Sequence, residues 1–116
     1  MARRLLVIDD EKDMCDLLQI ALEREGHQVI ATTSAKAALE WVAKEDIDVV
    51  LTDLGMAEMS GIAVCERVLG TQPDIPVIVV TGQNTMDSVV GALRAGAYDF
   101  ITKPVDTELL KISVER

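Results

Sequence analysis

The sequence predicts an α/β protein, a doubly wound (βα)5 domain with five parallel strands in one sheet. Short β-branched runs alternate with longer amphipathic segments along the whole chain. The first, third and fourth runs are continuously apolar, which is typical of parallel strands covered on both faces. Strand–helix–strand units of this length cross over with a right hand and place helices on both faces of the sheet.

The first strand is predicted over residues 5–8, where an apolar run stops at two aspartates. A helix is predicted over residues 12–25, because apolar residues recur there at helical spacing, and Gly26 can end it. The inward-facing stripe of this helix is expected to comprise Met14, Leu17, Leu18, Ala21 and Leu22.

The second strand is predicted over residues 29–32, and Ser34 can cap the helix that follows over residues 35–45. The third strand, over residues 49–52, is wholly apolar until its final threonine. It leads into a helix over residues 60–70.

The fourth strand is predicted over residues 77–80, followed by a helix over residues 85–95. Gly91 lies inside this helix and costs about 1 kcal/mol of helix propensity, so we expect the helix to be mobile. A short strand over residues 100–102 and a helix over residues 106–116 complete the pattern. The inward-facing residues of the fourth helix are expected to be Met86, Val89, Val90 and Leu93.

Length and composition exclude several functional classes. The chain has 116 residues, which favours one domain spanning 1–116 with a modest core. Its net charge of −9 disfavours direct nucleic-acid binding, which requires clustered Lys and Arg. No apolar run approaches the roughly 20 residues that span a bilayer, and the apolar N-terminal stretch is too short for a signal peptide. We therefore expect a cytoplasmic protein, with Cys15 and Cys65 as buried apolar residues.

Polar side chains follow four of the five strands. Asp9 and Asp10 end the first strand, Asp53 the third, Thr81 the fourth and Lys103 the fifth. In an open α/β sheet, functional groups gather at the carboxyl ends of the strands. Each residue alone has an ordinary structural explanation as a cap, a turn former or a solvated charge. Their joint placement favours a functional site.

The chemistry of this group points to phosphoryl transfer. Three converging carboxylates repel one another, and a divalent cation with oxygen ligands, best Mg²⁺, relieves that repulsion. A carboxylate can attack phosphorus to form an acyl phosphate. A lysine and a threonine hydroxyl can then bind the phosphoryl oxygens.

Five motifs, in this order, resemble the receiver domain of bacterial two-component response regulators over essentially the whole chain. They are LLVIDDE at 5–11, DVVLTDLGM at 48–56, MSG at 59–61, PVIVVTG at 76–82 and GAYDFITKP at 96–104. The resemblance implies a flavodoxin-like strand order, 2-1-3-4-5. It implies a switch phosphorylated by a histidine kinase with Mg²⁺, with no enzymatic activity beyond its own phosphorylation and dephosphorylation.

The resemblance also assigns roles to individual residues. Asp53 matches the phospho-acceptor, and Thr81 and Lys103 match the residues that sense the phosphoryl group. Phe100 matches the aromatic switch position, and the bond from Lys103 to Pro104 is usually cis in the family. The metal ligands implied are Asp10 directly, Asp9 through water, Asp53 itself and the main-chain carbonyl of Gly55.

The chain departs from the family pattern after the acceptor, where Ala57 replaces the usual proline. Gly55 and Gln83 match two positions that vary in the family, and the resemblance implies that they tune phosphoryl lifetime. Residues 96–110 resemble receivers of transcriptional activators that carry an AAA+ ATPase, and the chain ends about three turns into its last helix. We therefore expect an N-terminal fragment of a longer regulator, with an output domain in cis that could include AAA+ and DNA-binding domains.

Receivers of this family often dimerise through the face formed by the fourth helix, fifth strand and fifth helix, so a homodimer through that face is a further expectation. His27 lies near the start of the second strand, far from the site, which favours a surface or packing role. The phosphodonor must then come from elsewhere, and we expect a partner kinase.

Three alternative functions fit the sequence less well than a phosphorylated receiver does. A phosphatase with an aspartate nucleophile typically has a second aspartate two residues later, where this chain has Gly55. A nucleotide- or flavin-binding domain is disfavoured by the acidic loop after the first strand and by the absence of glycine-rich phosphate motifs. A receiver that signals without phosphorylation is disfavoured by the complete set of site residues.

Overall fold

A computed structural model describes residues 2–83 and 85–115, and in them strands and helices alternate as predicted. The strands form one parallel sheet in the order β2-β1-β3-β4-β5. The elements are β1 (Arg4–Ile8), α1 (Lys12–Glu23), β2 (Gln28–Thr32), α2 (Ala35–Lys44), β3 (Val49–Thr52), α3 (Gly61–Thr71), β4 (Val77–Thr81), α4 (Met86–Arg94), β5 (Asp99–Thr102) and α5 (Thr107–Glu115). The predicted fold class and strand order are confirmed.

The sheet places β1 and β3 side by side at its centre. Val7 of β1 pairs with Ala31 of β2 on one side and with Leu51 of β3 on the other. Every residue of β3 and β4 is buried, whereas the edge strands β2 and β5 are mostly half-buried. The continuously apolar runs are thus the central strands, because only central strands are covered on both faces.

Two apolar layers flank the sheet. Helices α1 and α5 pack on one face, through Leu18, Leu22, Leu110 and Val114. Helices α2 and α3 pack on the other, and α4 joins them beside β4 and β5. No helix within the described residues is long and apolar enough to cross a membrane.

The helix ends follow local rules of capping. The predicted cap Ser34 is confirmed, because its hydroxyl accepts a hydrogen bond from the amide of Ala37 at 3.1 Å. Gly26 and Gly96 have φ of 90° and 98°, a left-handed conformation that favours glycine, as the chain leaves α1 and α4. Helix α1 ends at Glu23, two residues before its predicted end.

The inward-facing residues predicted for α1 and α4 are wrong at three positions, one in α1 and two in α4. Leu17 is 49% exposed, Met86 76% and Leu93 55%. In α4 the buried residue is Ala92, which the hydrophobic pattern did not single out. Helical spacing identifies residues that share a face, but the angle of that face to the sheet depends on packing.

Candidate functional site

Three aspartates meet at the carboxyl end of the central strands. Because β1 and β3 are neighbours, the amide of Asp53 donates to the carbonyl of Ile8 at 3.0 Å. One carboxylate oxygen from each of Asp9, Asp10 and Asp53 lies within 4.8 Å of the others. Asp9 and Asp53 are buried and Asp10 is exposed. The structure therefore brings together the three carboxylates that the sequence predicted would converge.

Lys103 reaches into this group from the end of β5. Its ammonium lies 2.8 Å from Oδ2 of Asp9 and 3.2 Å from Oδ2 of Asp53, while Glu11 lies further away at 3.9 Å. Its amide donates to the carbonyl of Thr81 at 2.9 Å, and its bond to Pro104 is cis. Burial opposes the charged form, but the two aspartates outweigh burial and raise the pKa of Lys103.

Asp53 is held in its ionised form. Burial alone would raise the pKa of this carboxyl group. The Thr81 hydroxyl and the Lys103 ammonium outweigh that effect, together with the amide of Leu54, which donates to Oδ1 at 2.7 Å. The pKa of Asp53 is therefore lowered, and a carboxylate capable of nucleophilic attack is present at neutral pH.

Thr81 and Phe100 connect the site to the face of the sheet that α4 covers. Thr81 is buried at the end of β4, and its hydroxyl accepts from the amide of Gln83 at 3.1 Å. Phe100 is half-buried and packs against a small cluster that includes Leu54 and Ala92. A change at Asp53 can therefore reach α4 through its neighbour Leu54.

Two glycines shape the loop between β3 and α3. A β-carbon on Gly55 would collide with the side-chain amide of Gln83, which lies over this position. A β-carbon on Gly61 would collide with the carbonyl of Asp53 and with the backbone of Leu54. Gly61 therefore lets α3 begin directly against the backbone of Asp53, which gives the glycine of the MSG motif at 59–61 a structural reason.

The donor set of the aspartate cluster fits Mg²⁺. Mg²⁺ prefers oxygen ligands, is bound by few carboxylates and keeps several waters. Asp9, Asp10 and Asp53 supply the carboxylates, and the exposure of Asp10 leaves space for water beside it. Sequence reasoning missed the contact of Glu11, whose exposed carboxylate lies 3.9 Å from the Lys103 ammonium.

Comparison with known proteins identifies the family. Residues 5–115 match the family described as the response regulator receiver domain. The chain belongs to this family. It is thus a receiver domain of the two-component response regulators, whose receivers generally bind Mg²⁺ at an acidic aspartate cluster such as this one.

Relatives of this receiver domain include transcriptional regulators. It is 38% identical over 112 residues to the transcriptional regulatory protein ZraR of Escherichia coli K12, covering 97% of this chain and 25% of ZraR. It is 36% identical over 109 residues to the response regulator protein PilR of Pseudomonas aeruginosa, covering 94% of this chain and 24% of PilR. The chain spans about a quarter of the length of these relatives.

Solved structures of the same fold include a longer regulator and a receiver domain protein. NtrX from Brucella abortus, solved in complex with ADP, has a TM-score of 0.93 and 33% identity, covering 100% of this chain and 27% of NtrX. A CheY-like receiver domain protein from Methanospirillum hungatei has a TM-score of 0.93 and 29% identity, covering 99% of this chain and 92% of that protein.

Proposed function

We propose that this receiver domain is a phosphorylation-dependent switch and that Asp53 is its phospho-acceptor. The observation that carries the proposal is the convergence of Asp53 with Asp9, Asp10, Thr81 and Lys103 at one end of the sheet. Five side chains from four strand ends supply a nucleophile, a cation site and two groups that can bind phosphoryl oxygens. A cluster that served stability alone would not need an exposed carboxylate beside two buried ones.

The reaction assigns one task to each group. An Asp53 carboxylate oxygen attacks the phosphorus of the donor, an acyl phosphate bond forms, and the bond from phosphorus to the donor breaks. Asp9, Asp10, Asp53 and the main-chain carbonyl of Gly55 would hold Mg²⁺, with Asp9 acting through water. When bound, the ion neutralises charge on the transferring group. Turnover is limited to the formation and hydrolysis of this acyl phosphate.

The switch follows from the groups around Asp53. The phosphoryl oxygens attract the Thr81 hydroxyl and the Lys103 ammonium, which already lie beside the carboxylate. Movement of Thr81 frees space at the end of β4, and Phe100 can turn inward. Helix α4, which contacts Phe100 through Ala92, shifts as a result. The face formed by α4, β5 and α5 then presents a different surface.

The phosphodonor in this proposal is a histidine kinase. Within this chain His27 is buried near the start of β2, and its Nδ1 accepts a hydrogen bond from the amide of Arg3 at 3.0 Å. A histidine so enclosed, at the far end of the sheet from Asp53, is not available as a donor. The phosphohistidine therefore comes from outside these residues, and we propose a partner kinase as its source.

The output of the proposed switch is transcriptional and lies in the same polypeptide. Two of the relatives reported above are regulatory proteins about four times the length of this chain, one of them named as transcriptional. We propose that residues 1–116 form the N-terminal receiver of such a regulator, followed by an AAA+ ATPase and a DNA-binding domain. Contact with DNA then belongs to the output domain, and the protein acts in the cytoplasm.

In this proposal the receiver forms a homodimer through the α4–β5–α5 face. Five large apolar side chains in these elements and in the connection between α4 and β5 are exposed, each by 47% or more of its area. Exposed apolar side chains are typical of a surface that binds another protein when they form a contiguous patch. The five residues are Met86, Leu93, Tyr98, Leu109 and Ile112.

The acceptor role is tested by the substitution Asp53→Asn. The amide keeps the shape of the side chain but is not a nucleophile toward phosphorus, so labelling by a small phosphodonor such as acetyl phosphate with Mg²⁺ should be abolished. Intact-mass spectrometry measures the added phosphoryl group. Asp48→Asn, at the opposite end of the sheet, is the matched control and should label as the wild type does. Undiminished labelling of Asp53→Asn would contradict the assignment.

A further inference from the structure

The loop between β3 and α3 carries two parts of the proposed site, Asp53 and the carbonyl of Gly55. Its backbone is fixed near Leu54, whose carbonyl accepts from the amides of Met56 at 3.1 Å and Gly61 at 2.9 Å. The intervening residues leave the sheet edge and approach α2. A loop of this length is held in one conformation only if its side chains anchor it, since ordering each residue costs about 1–2 kcal/mol of entropy.

Glu58 provides an anchor to α2. Its Oε1 accepts hydrogen bonds from the hydroxyl of Ser34 at 3.2 Å and from the amide of Lys36 at 2.9 Å. The Lys36 amide is the main cause of the lowered pKa of Glu58, and the Ser34 hydroxyl and the Ala35 amide add to it. These groups form the first turn of α2, where free amides and the helix dipole favour a carboxylate.

The first turn of α2 is in turn joined to the strand end that carries the aspartate pair. The amide of Ser34 donates to Oγ1 of Thr32 at 3.1 Å, and the amide of Asp9 donates to the carbonyl of Thr32 at 3.3 Å. Hydrogen bonds therefore run without a break from Asp9 through Thr32 and Ser34 to Glu58. They connect the two segments that must meet around a cation, residues 9–10 and the loop containing Gly55.

We propose that Glu58 is a positioning residue for the metal site, a clamp that holds the Gly55 carbonyl at a fixed place relative to Asp9 and Asp10. This inference rests on the proposed function, because it presumes the cation. Mg²⁺ demands near-ideal octahedral geometry, so a carbonyl whose position varies with its loop is a poor ligand. Outer groups that orient metal ligands commonly change metal affinity by an order of magnitude or more.

The simpler explanation is that Glu58 only caps α2. Ser34 already caps that helix, since its hydroxyl accepts from the amide of Ala37. Because the helix already has its own cap, capping alone gives no reason for a second acceptor from a distant loop. The two explanations differ in a measurable way. A cap affects the free energy of unfolding, whereas a clamp affects the affinity for the ion.

The experiment is a Mg²⁺ titration of the wild type, Glu58→Ala and Glu58→Gln by calorimetry at fixed ionic strength. We expect the dissociation constant to rise about fivefold in Glu58→Ala, below the range seen when direct outer-sphere partners are removed. In Glu58→Gln the amide oxygen still accepts both hydrogen bonds, so the dissociation constant should stay within about twofold of the wild type.

Asp48→Ala is the matched control. The Asp48 carboxylate accepts from the amide of Arg4 at 2.8 Å, so this variant also loses one negative charge and a bond to a backbone amide, at the opposite end of the sheet. Its affinity for Mg²⁺ should match the wild type. Equal affinities for Glu58→Ala and Asp48→Ala would overturn the clamp and leave the proposed function intact. A wild-type protein that neither binds Mg²⁺ nor labels on Asp53 would overturn the proposed function itself.

Discussion

Helices α3 and α4 lie on the same face of the sheet, yet they are seated very differently. Helix α3 buries four residues, Gly61, Val64, Cys65 and Val68, whereas α4 buries only Ala92. The largest side chains of α4 point to solvent, with Met86 and Leu93 both more than half exposed. A helix whose one fully buried residue is an alanine gains less from burial than a helix that inserts two valines into the core.

This difference matches the position of each helix in the site. Helix α3 begins against the backbone of Asp53, where Gly61 allows close contact, so it has to stay in place for the acceptor to keep its geometry. Helix α4 follows Thr81, the residue proposed to move. Weak burial in α4 lowers the cost of moving it, so one helix serves as a fixed support and the other as the responding element.

The largest difference between the two helices is expected when an apolar side chain in each is truncated and the free energy of unfolding is measured. Val64→Ala removes apolar groups from a fully buried site and should lower the free energy of unfolding by about 2 kcal/mol. Leu93→Ala, in α4, should change it by less than about 0.5 kcal/mol, because the side chain is mostly exposed. Urea denaturation measures both. An equal loss of unfolding free energy in the two variants would mean that α4 packs against the core as tightly as α3.

Hydrogen exchange should show the same contrast without substitution. Amides in α4 are expected to exchange at least about ten times faster than those in α3 and α1, which corresponds to about 1.4 kcal/mol less protection. Helix α1 is a useful reference because it buries Cys15, Leu18 and Leu22. Exchange monitored by mass spectrometry or NMR measures this, and equal protection in α1 and α4 would contradict a mobile α4.

Two helical glycines give the smallest and most specific comparison. Gly70 in α3 has open space around its α-carbon, so Gly70→Ala should stabilise the protein by about 1 kcal/mol through helix propensity. A β-carbon on Gly91 in α4 would lie 3.0 Å from Cδ1 of Ile62. Gly91→Ala should therefore gain only about 0.5 kcal/mol, because the Ile62 side chain has to give way. Thermal unfolding of both variants measures the difference, and an equal gain would show that α4 moves aside freely.

The sequence predicts the sheet well because the residues of the buried strands are almost all apolar. Residues 5–8, 49–52 and 77–80 are apolar or end in threonine, and all are buried in the three central strands. It predicts the helix faces less well. In α4 the larger residues Met86 and Leu93 dominated the apolar pattern, but the small Ala92 is what allows the helix to approach the sheet.

The site was predictable where it depends on strand ends and unpredictable where it depends on loops. Asp53 and Lys103 could be expected to meet because parallel strands end at a common edge. The contact of Glu58 with Ser34 and Lys36 has no counterpart in the local pattern, since it depends on how the loop after β3 packs against α2. More than 20 residues separate Glu58 from these partners, so no short sequence motif contains the contact.

The bond between Lys103 and the buried carboxylates has a consequence for charge balance. Asp9, Asp10 and Asp53 together with Lys103 carry two negative charges in excess, which a single divalent cation cancels and a monovalent one does not. An acyl phosphate on Asp53 would restore negative charge to the same small volume. The proposed ion and the phosphoryl group are therefore thermodynamically linked. Phosphorylation should change the affinity for the ion by the same factor by which the ion changes the equilibrium constant for phosphorylation.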